Sequence, residues 1–305
     1  MKRKVVRQGA STLMISIPSD WARKFGIRKG DELEIIEEER RFFVSTQKEL
    51  TKKSTEINID NLEPMVLRTI ASLYKAGYDE VKVTFSDPEQ VMQVQNSLKN
   101  EIAGFEIVEQ GKTYCIIKNI EGPLEEGFEP ILRRTFILLL TMAEESLEAI
   151  RKQDYADLQR LRFIEDSNNR FTTFCRRALS KKGYKDQAKI QFIYHIIDQL
   201  EKIADQYKYL FDYLMKEENA KHKLSAETLS YFQNTNKMLR NYYELFYNFD
   251  KAKVAEIGKL RKKLVQNVGS MLENAGRKDA VVLHYLVLQV QEIFELVEPY
   301  LAMVL

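Results

Sequence analysis

Met14-Ile15-Ser16-Ile17-Pro18 is followed closely by Phe25-Gly26-Ile27-Arg28-Lys29-Gly30-Asp31. The first string reads as a strand over 13–17 stopped by Pro18, with Ser19 as the N-cap of a short helix. Trp21, Ala22 and Phe25 recur at helical spacing, and Gly26 then supplies a left-handed C-cap. Gly30-Asp31 makes a turn into a strand over 32–36. A second turn at Arg40-Arg41 leads to a strand at 42–44. Upstream, Lys2-Arg3-Lys4-Val5-Val6-Arg7-Gln8-Gly9 reads as one more short strand and its loop. A unit of about 45 residues cannot bury enough surface to be stable alone, so pairing with a second copy is expected.

Charge in this stretch is sharply divided. Through residue 30 the bases are Lys2, Arg3, Lys4, Arg7, Arg23, Lys24, Arg28 and Lys29, against the single acid Asp20. From 31 to 39 the sign reverses, with Asp31, Glu32, Glu34, Glu37, Glu38 and Glu39. The strings around Ile17-Pro18, Gly26-Ile27 and Gly30-Asp31 resemble the AbrB/MazE-type swapped-hairpin DNA-binding domain. That resemblance implies two chains interlocking their hairpins, with basic residues of strands and loops on DNA. Lys2, Arg3, Lys4, Arg7, Arg23, Lys24 and Arg28 are the candidate DNA-binding residues. Lysine and arginine there would neutralise phosphates and release counterions. The plainer alternative is a dimer clamp whose charges are solvated, and antitoxin members of the family also use the fold to bind partner proteins.

The chain has 305 residues, with 47 basic and 45 acidic side chains, so the basic N-terminus is a local feature. Its length suits two or three domains. Cys115 and Cys175 form no CxxC motif, which fits a reducing compartment. No signal peptide is visible, and the longest apolar run of the helical half, 136–143, is far short of a membrane span. A cytoplasmic protein without membrane insertion is expected.

Residues 49–122 read as a small α/β domain of order βαβαββ. Its strands are predicted at 54–59, 80–85, 105–109 and 113–117, and its helices at 62–76 and 87–102. Asp87 is the N-cap and Pro88 the first position of the second helix. Val81, Val83 and Phe85 fall on one side of their strand. No phosphate loop or catalytic constellation is present here, which favours a rigid spacer over a ligand sensor.

From 127 the chain reads as helices at about 129–153, 155–182, 186–216, 225–249, 251–274 and 279–304. Two sets of three suggest an internal repeat of about 90 to 96 residues. At an offset of 90, Leu200-Glu201-Lys202-Ile203-Ala204-Asp205 faces Val290-Gln291-Glu292-Ile293-Phe294-Glu295. The former string, with Ile164-Glu165-Asp166 through Asn169, resembles the PhoU family of phosphate-uptake regulators over about 127–305. The predicted fold class is therefore multidomain α+β: a swapped hairpin at 1–48, the α/β domain at 49–122, and a tandem three-helix, PhoU-like bundle at 123–305.

In PhoU-type proteins the acidic motifs can carry iron or zinc, which makes Glu165, Asp198, Glu201 and Asp205 candidate ligands for a divalent metal, or for iron or zinc. Asp198, Glu201 and Asp205 share one helix face, and His195 precedes them. The chain departs from the family's pattern at Asn169, where an acid is usual. In the second repeat, Arg261 and Val265 stand opposite Glu165 and Asn169, and Gln291 opposite Glu201. Salt bridges to Arg162, Lys202 or Lys208 are the favoured reading of these carboxylates. His222 and His284 have no evident partners. The aromatic series Tyr207, Tyr209, Phe211, Tyr213, then Tyr242, Tyr243, Phe246, Tyr247 and Phe249, reads as core rather than as a base-stacking platform.

No serine–histidine–acid set, P-loop or strong zinc motif points to an enzyme. The resemblances imply a dimeric, DNA-binding regulator related to phosphate uptake, whose bundle senses or recruits a partner. The alternative is a signalling adaptor that regulates phosphate transport through protein contacts. A transporter subunit or sensor kinase is the expected partner of the bundle.

Overall fold

The computed structural model describes residues 2–38, 41–46, 52–120, 127–216 and 222–305. The chain divides into two compact units, Met1–Lys52 and Lys53–Leu305. The architecture is multidomain α+β: two N-terminal hairpins, a small mixed sheet with its helices, and a C-terminal helical bundle.

In the first unit, β1 (Val5–Gln8) pairs antiparallel with β2 (Thr12–Ile15), and β3 (Glu34–Glu38) with β4 (Arg41–Ser45). Between the hairpins lies α1 (Ser19–Lys24). Gly9, Gly26 and Gly30 take positive φ of 73°, 59° and 96°, the turn conformations that glycine adopts without Cβ strain. One expectation is corrected. Ser19 does not cap α1 but begins it, and Pro18 holds the N-cap position in extended backbone without a side-chain cap. Its fixed φ already directs the chain into the helix, and its carbonyl receives the Ala22 N–H at 2.9 Å. The turn expected at Arg40-Arg41 includes Arg40, which lies outside the described residues.

The second unit begins with β5 (Ser54–Asn58), α2 (Val66–Lys75) and β6 (Glu80–Thr84), then α3 (Val91–Glu101), β7 (Phe105–Gln110) and β8 (Tyr114–Asn119). The sheet order is β5-β6-β8-β7, with β5 and β6 parallel and the other pairs antiparallel. Val81, Val83 and Phe85 are buried together, under Ile70 and Tyr74 of α2 and Val94 of α3. Lys82–Glu56 and Lys118–Glu80, at 3.2 and 2.9 Å, pair neighbouring strands. Asp87 caps the turn at Pro88–Gln90 that leads into α3, accepting the Glu89 N–H at 2.9 Å. Gln90 completes this capping box by returning its side chain to the Asp87 N–H.

The bundle comprises α4 (Phe128–Lys152), α5 (Tyr155–Lys182) and α6 (Ile190–Leu214), then α7 (Ala226–Tyr247), α8 (Lys251–Asn274), α9 (Arg277–Glu295) and α10 (Val297–Val304). Helices α4–α6 pack together, as do α7–α9. The two trios meet first helix to first helix, α4 on α7, and third to third, α6 on α9. The last helix, expected over 279–304, is divided at Leu296. Pro299 has no N–H for the Glu295 carbonyl, so the α-helical ladder breaks there. Arg277–Val304 is long and apolar enough to cross a membrane by composition. Its apolar residues Val282, Leu283, Leu286, Val290 and Ile293 lie in the bundle core, which accounts for that composition. Tyr207, Phe211 and Tyr242 are fully buried, whereas Tyr209 remains 44% exposed.

The α/β layer and the bundle are joined at α5, against which α2 and α3 pack. At the junction the Arg177 side chain is fully buried. It donates to the Tyr74 and Tyr78 carbonyls at 2.9 and 2.6 Å and to Asp79 at 2.7 Å. Its guanidinium also lies over the rings of Tyr74 and Phe105. Asp79 further accepts from Lys181 and from the Lys53 N–H. Burial alone pushes the Asp79 carboxyl up, but the Lys181 hydrogen bond, the Lys53 N–H and the charges of Lys181 and Arg177 outweigh it, so Asp79 titrates below the ordinary 3.8. The stabilisation it contributes is therefore complete above the unfolded-state value and is lost as pH falls through the native one. Asp79→Asn is expected to lower the urea midpoint at neutral pH and to flatten its decline between about pH 5 and pH 3. A variant with the parent's midpoint and the same acid limb contradicts this role.

Candidate nucleic-acid interface and the acidic helix pair

The register of the first hairpin sets Val5 opposite Ile15, Val6 opposite Met14 and Arg7 opposite Leu13. Directly paired residues share a face, so Val5, Arg7, Leu13 and Ile15 lie on one side and Val6 and Met14 on the other. Both faces carry apolar side chains, and both are open: Val5, Val6, Leu13 and Ile15 are each more than half exposed. In the second hairpin Ile35 faces Val44, and these and Phe42 are exposed as well. No residue of 2–46 whose burial is described is buried. Exposed apolar side chains grouped in this way mark an interaction surface.

The candidate DNA-binding residues surround these hairpins. Lys2, Arg3 and Lys4 precede β1, Arg7 lies in it, Arg23 and Lys24 end α1, and Arg28 follows in the turn; all seven are exposed. Arg23 stands 3.6 Å from Asp20, a highly exposed pair that contributes little, and Lys24 reaches over the Phe25 ring. Asp31 is spent locally, accepting the Arg28 N–H at 2.8 Å to close the turn.

The acidic motifs of the bundle do come together between α5 and α6, but each carboxylate meets a cation. Glu165 is buried and accepts from Arg162 at 2.9 Å, Lys208 at 2.9 Å and Asn169 at 2.6 Å. Asp205 pairs with Lys208, and Asp198 with Lys202 at 3.2 Å. The sequence reading missed Arg176, whose buried guanidinium binds Asp198 at 2.9 Å and also Glu201. Thr172 adds a 3.2 Å hydrogen bond to Glu201. Burial pushes the Glu165 carboxyl above its ordinary value against the pull of Lys208 and Arg162. For Lys208 burial works against the charge, but hydrogen bonds to Asp205 and Glu165 outweigh it, and its ammonium titrates above ordinary lysine. Among the described residues no group of three or more His, Cys, Asp or Glu is placed to hold a metal ion. His195 lies beside Gln199 of its own helix.

The expectation that His222 lacks a partner is corrected. Its Nε2 lies 2.6 Å from the buried Asp279, which also accepts from the Ser225 N–H and the Thr228 hydroxyl. Asp279 is thus the carboxylate that secures the start of α7 to α9. At the positions set opposite Glu165 and Glu201 in the second trio, Arg261 donates to Gln291 at 3.4 Å and lies over Phe294.

Residues 6–49 match the family model described as "Antidote-toxin recognition MazE, bacterial antitoxin". A domain of that kind is consistent with a DNA-binding regulator. Searches of curated proteins and of solved structures each find no match.

Arg176→Met strips the buried cation from Asp198 and Glu201. Chemical denaturation is expected to show a loss of about 3–5 kcal/mol, the usual cost of orphaning a buried ion-pair partner. A loss of under about 1 kcal/mol, the size of an exposed pair, contradicts the reading of Arg176 as the keystone of the site.

Proposed function

We propose that this protein is a dimeric, DNA-binding transcriptional regulator acting in phosphate uptake, with the helical bundle sensing or recruiting a partner. The observation that carries this is the N-terminal unit. It carries apolar side chains on both faces of its first hairpin, buries none of the residues whose burial is described, and is ringed by exposed bases. A second copy laid against it would form the missing core and bring two sets of bases to one duplex. Lys2, Arg3, Lys4, Arg7, Arg23, Lys24 and Arg28 then contact phosphates, which position the protein without reading sequence. The match over 6–49 supports the same assignment. The link to phosphate uptake rests on the resemblance of the paired three-helix units to its regulators. The second reading is an adaptor whose hairpin engages a protein, as the matched family's description of toxin recognition suggests.

Fluorescence anisotropy with a DNA duplex at several salt concentrations separates the two. For Arg7→Ala/Arg23→Ala/Lys24→Ala the slope of log K against log salt is expected to fall by about 2 to 3 for each hairpin on the DNA, at roughly 0.9 for each phosphate no longer neutralised. A variant that keeps the parent's affinity and slope contradicts the regulator and favours the adaptor.

A further inference from the structure

The second three-helix unit carries a charge asymmetry that neither the hairpin nor the acidic pair explains. Between 251 and 278 the chain places eight cations, Lys251, Lys253, Lys259, Arg261, Lys262, Lys263, Arg277 and Lys278, against the acids Glu256 and Glu273. Most of these cations belong to α8, the outermost helix of its trio by burial: only Ile257 and Leu264 are buried in it. Its counterpart α5 is covered by the α/β layer as well as by the bundle, whereas α8 leaves a long face open to solvent.

Pairing sharpens the contrast. Elsewhere in the bundle the basic residues mostly face carboxylates, as Arg160, Lys202, Lys208, Lys237 and Arg240 do, whereas of the eight cations here Lys253 pairs with Glu244. Lys251, Lys259, Lys262 and Lys263 are exposed. None of the four forms a salt bridge to a described residue. At 100° per residue, Lys251, Lys259, Lys262 and Gln266 share one face, with Ser270 at its edge and the acid Glu273 at its C-terminal end. A side chain added at Gly269, on that face, would meet nothing within 4 Å. Beside it, an open groove of about 370 Å³ between α7 and α8 is lined by Lys263 together with Ser230, Asn234 and Asn267, with one carboxylate, Glu227, also in its lining.

We infer that this lysine face of α8 is a second nucleic-acid contact, binding the sugar–phosphate backbone of DNA. The occupant follows from the chemistry presented. Unpaired ammonium groups accompanied by amide and hydroxyl donors are the side chains that contact phosphate oxygens. A membrane surface is the poorer fit, because the middle of the face bears lysine, glycine and glutamine, with no large apolar residue to enter a bilayer. The contact is sequence-independent: it adds affinity and salt dependence to whatever the hairpins select. This inference rests on the DNA-binding reading above but assigns a surface remote in sequence from the hairpin.

The test uses the full chain in three forms: the parent, Lys259→Ala/Lys262→Ala/Lys263→Ala, and the hairpin triple variant. Each is titrated against a mixed-sequence DNA duplex by anisotropy across a salt series, and against phosphatidylserine vesicles by co-sedimentation. The α8 variant is expected to bind DNA about tenfold or more weakly at low salt, its log–log slope reduced by about 2 to 3 for each α8 engaged. Replacing the same lysines by arginine is expected to restore both, because the interaction is one of charge. An unchanged thermal transition shows that these exposed substitutions leave the fold intact. If the hairpin variant loses DNA while the α8 variant matches the parent, the α8 contact is overturned and the regulator reading stands. If the α8 variant alone weakens, the α8 contact holds and the hairpin assignment fails. Loss of vesicle binding with unaltered DNA binding also overturns the inference.

Discussion

The constraint on which the functional account depends is that a hairpin of alternating residues with apolar side chains on both faces must be covered on both. Val5, Leu13 and Ile15 occupy one face of β1–β2, Val6 and Met14 the other, and none is buried. At about 25 cal/mol per Å² of apolar surface, leaving such a unit in water forfeits several kcal/mol that a small domain cannot spare. The second unit is free of this difficulty. Its sheet has a core of its own under α2 and α3, and its bundle another, so it satisfies the hydrophobic requirement within one chain.

Inside that second unit, charge does the positioning that apolar packing leaves undetermined. Two consecutive arginines of α5 are buried and point to different tasks. Arg177 pins the α/β layer through Asp79 and two backbone carbonyls, while Arg176 gathers Asp198 and Glu201 of α6. Buried ion pairs add little net stability over apolar packing, but removing one partner is costly, so such pairs fix a geometry more than they deepen a well. The result is an acidic helix pair whose carboxylates have cations of the protein itself as partners.

Much of this was legible in the sequence. The βαβαββ order, the buried face of Val81, Val83 and Phe85, and the six-part division of the helical half follow from alternation, helical spacing and breaker residues, which are local signals. The salt bridges of Arg162, Lys202 and Lys208 were legible too, because three- and four-residue spacing on a helix puts them within reach. Arg176 and Arg177 were missed because their partners lie on other elements, Asp79 being nearly a hundred positions away. A signal existed, since α5 buries Leu161, Glu165, Asn168, Thr172, Cys175 and Leu179, and Arg176 continues that stripe. Charged residues at buried spacing mark an ion pair awaiting its partner. The division at Leu296 was missed because Pro299 interrupts the ladder one turn upstream of itself, and His222 because Asp279 reaches it from another helix.

The central claim, that the N-terminal unit is completed by a second copy, is tested most directly by sedimentation equilibrium of the full chain beside Leu13→Asp. Leu13 is 68% exposed in the single chain, so a charge there leaves an isolated protomer undisturbed. The account predicts a dimer for the parent and a shift to monomer for the variant. A parent that sediments as a monomer, or a variant that stays fully dimeric, would contradict it.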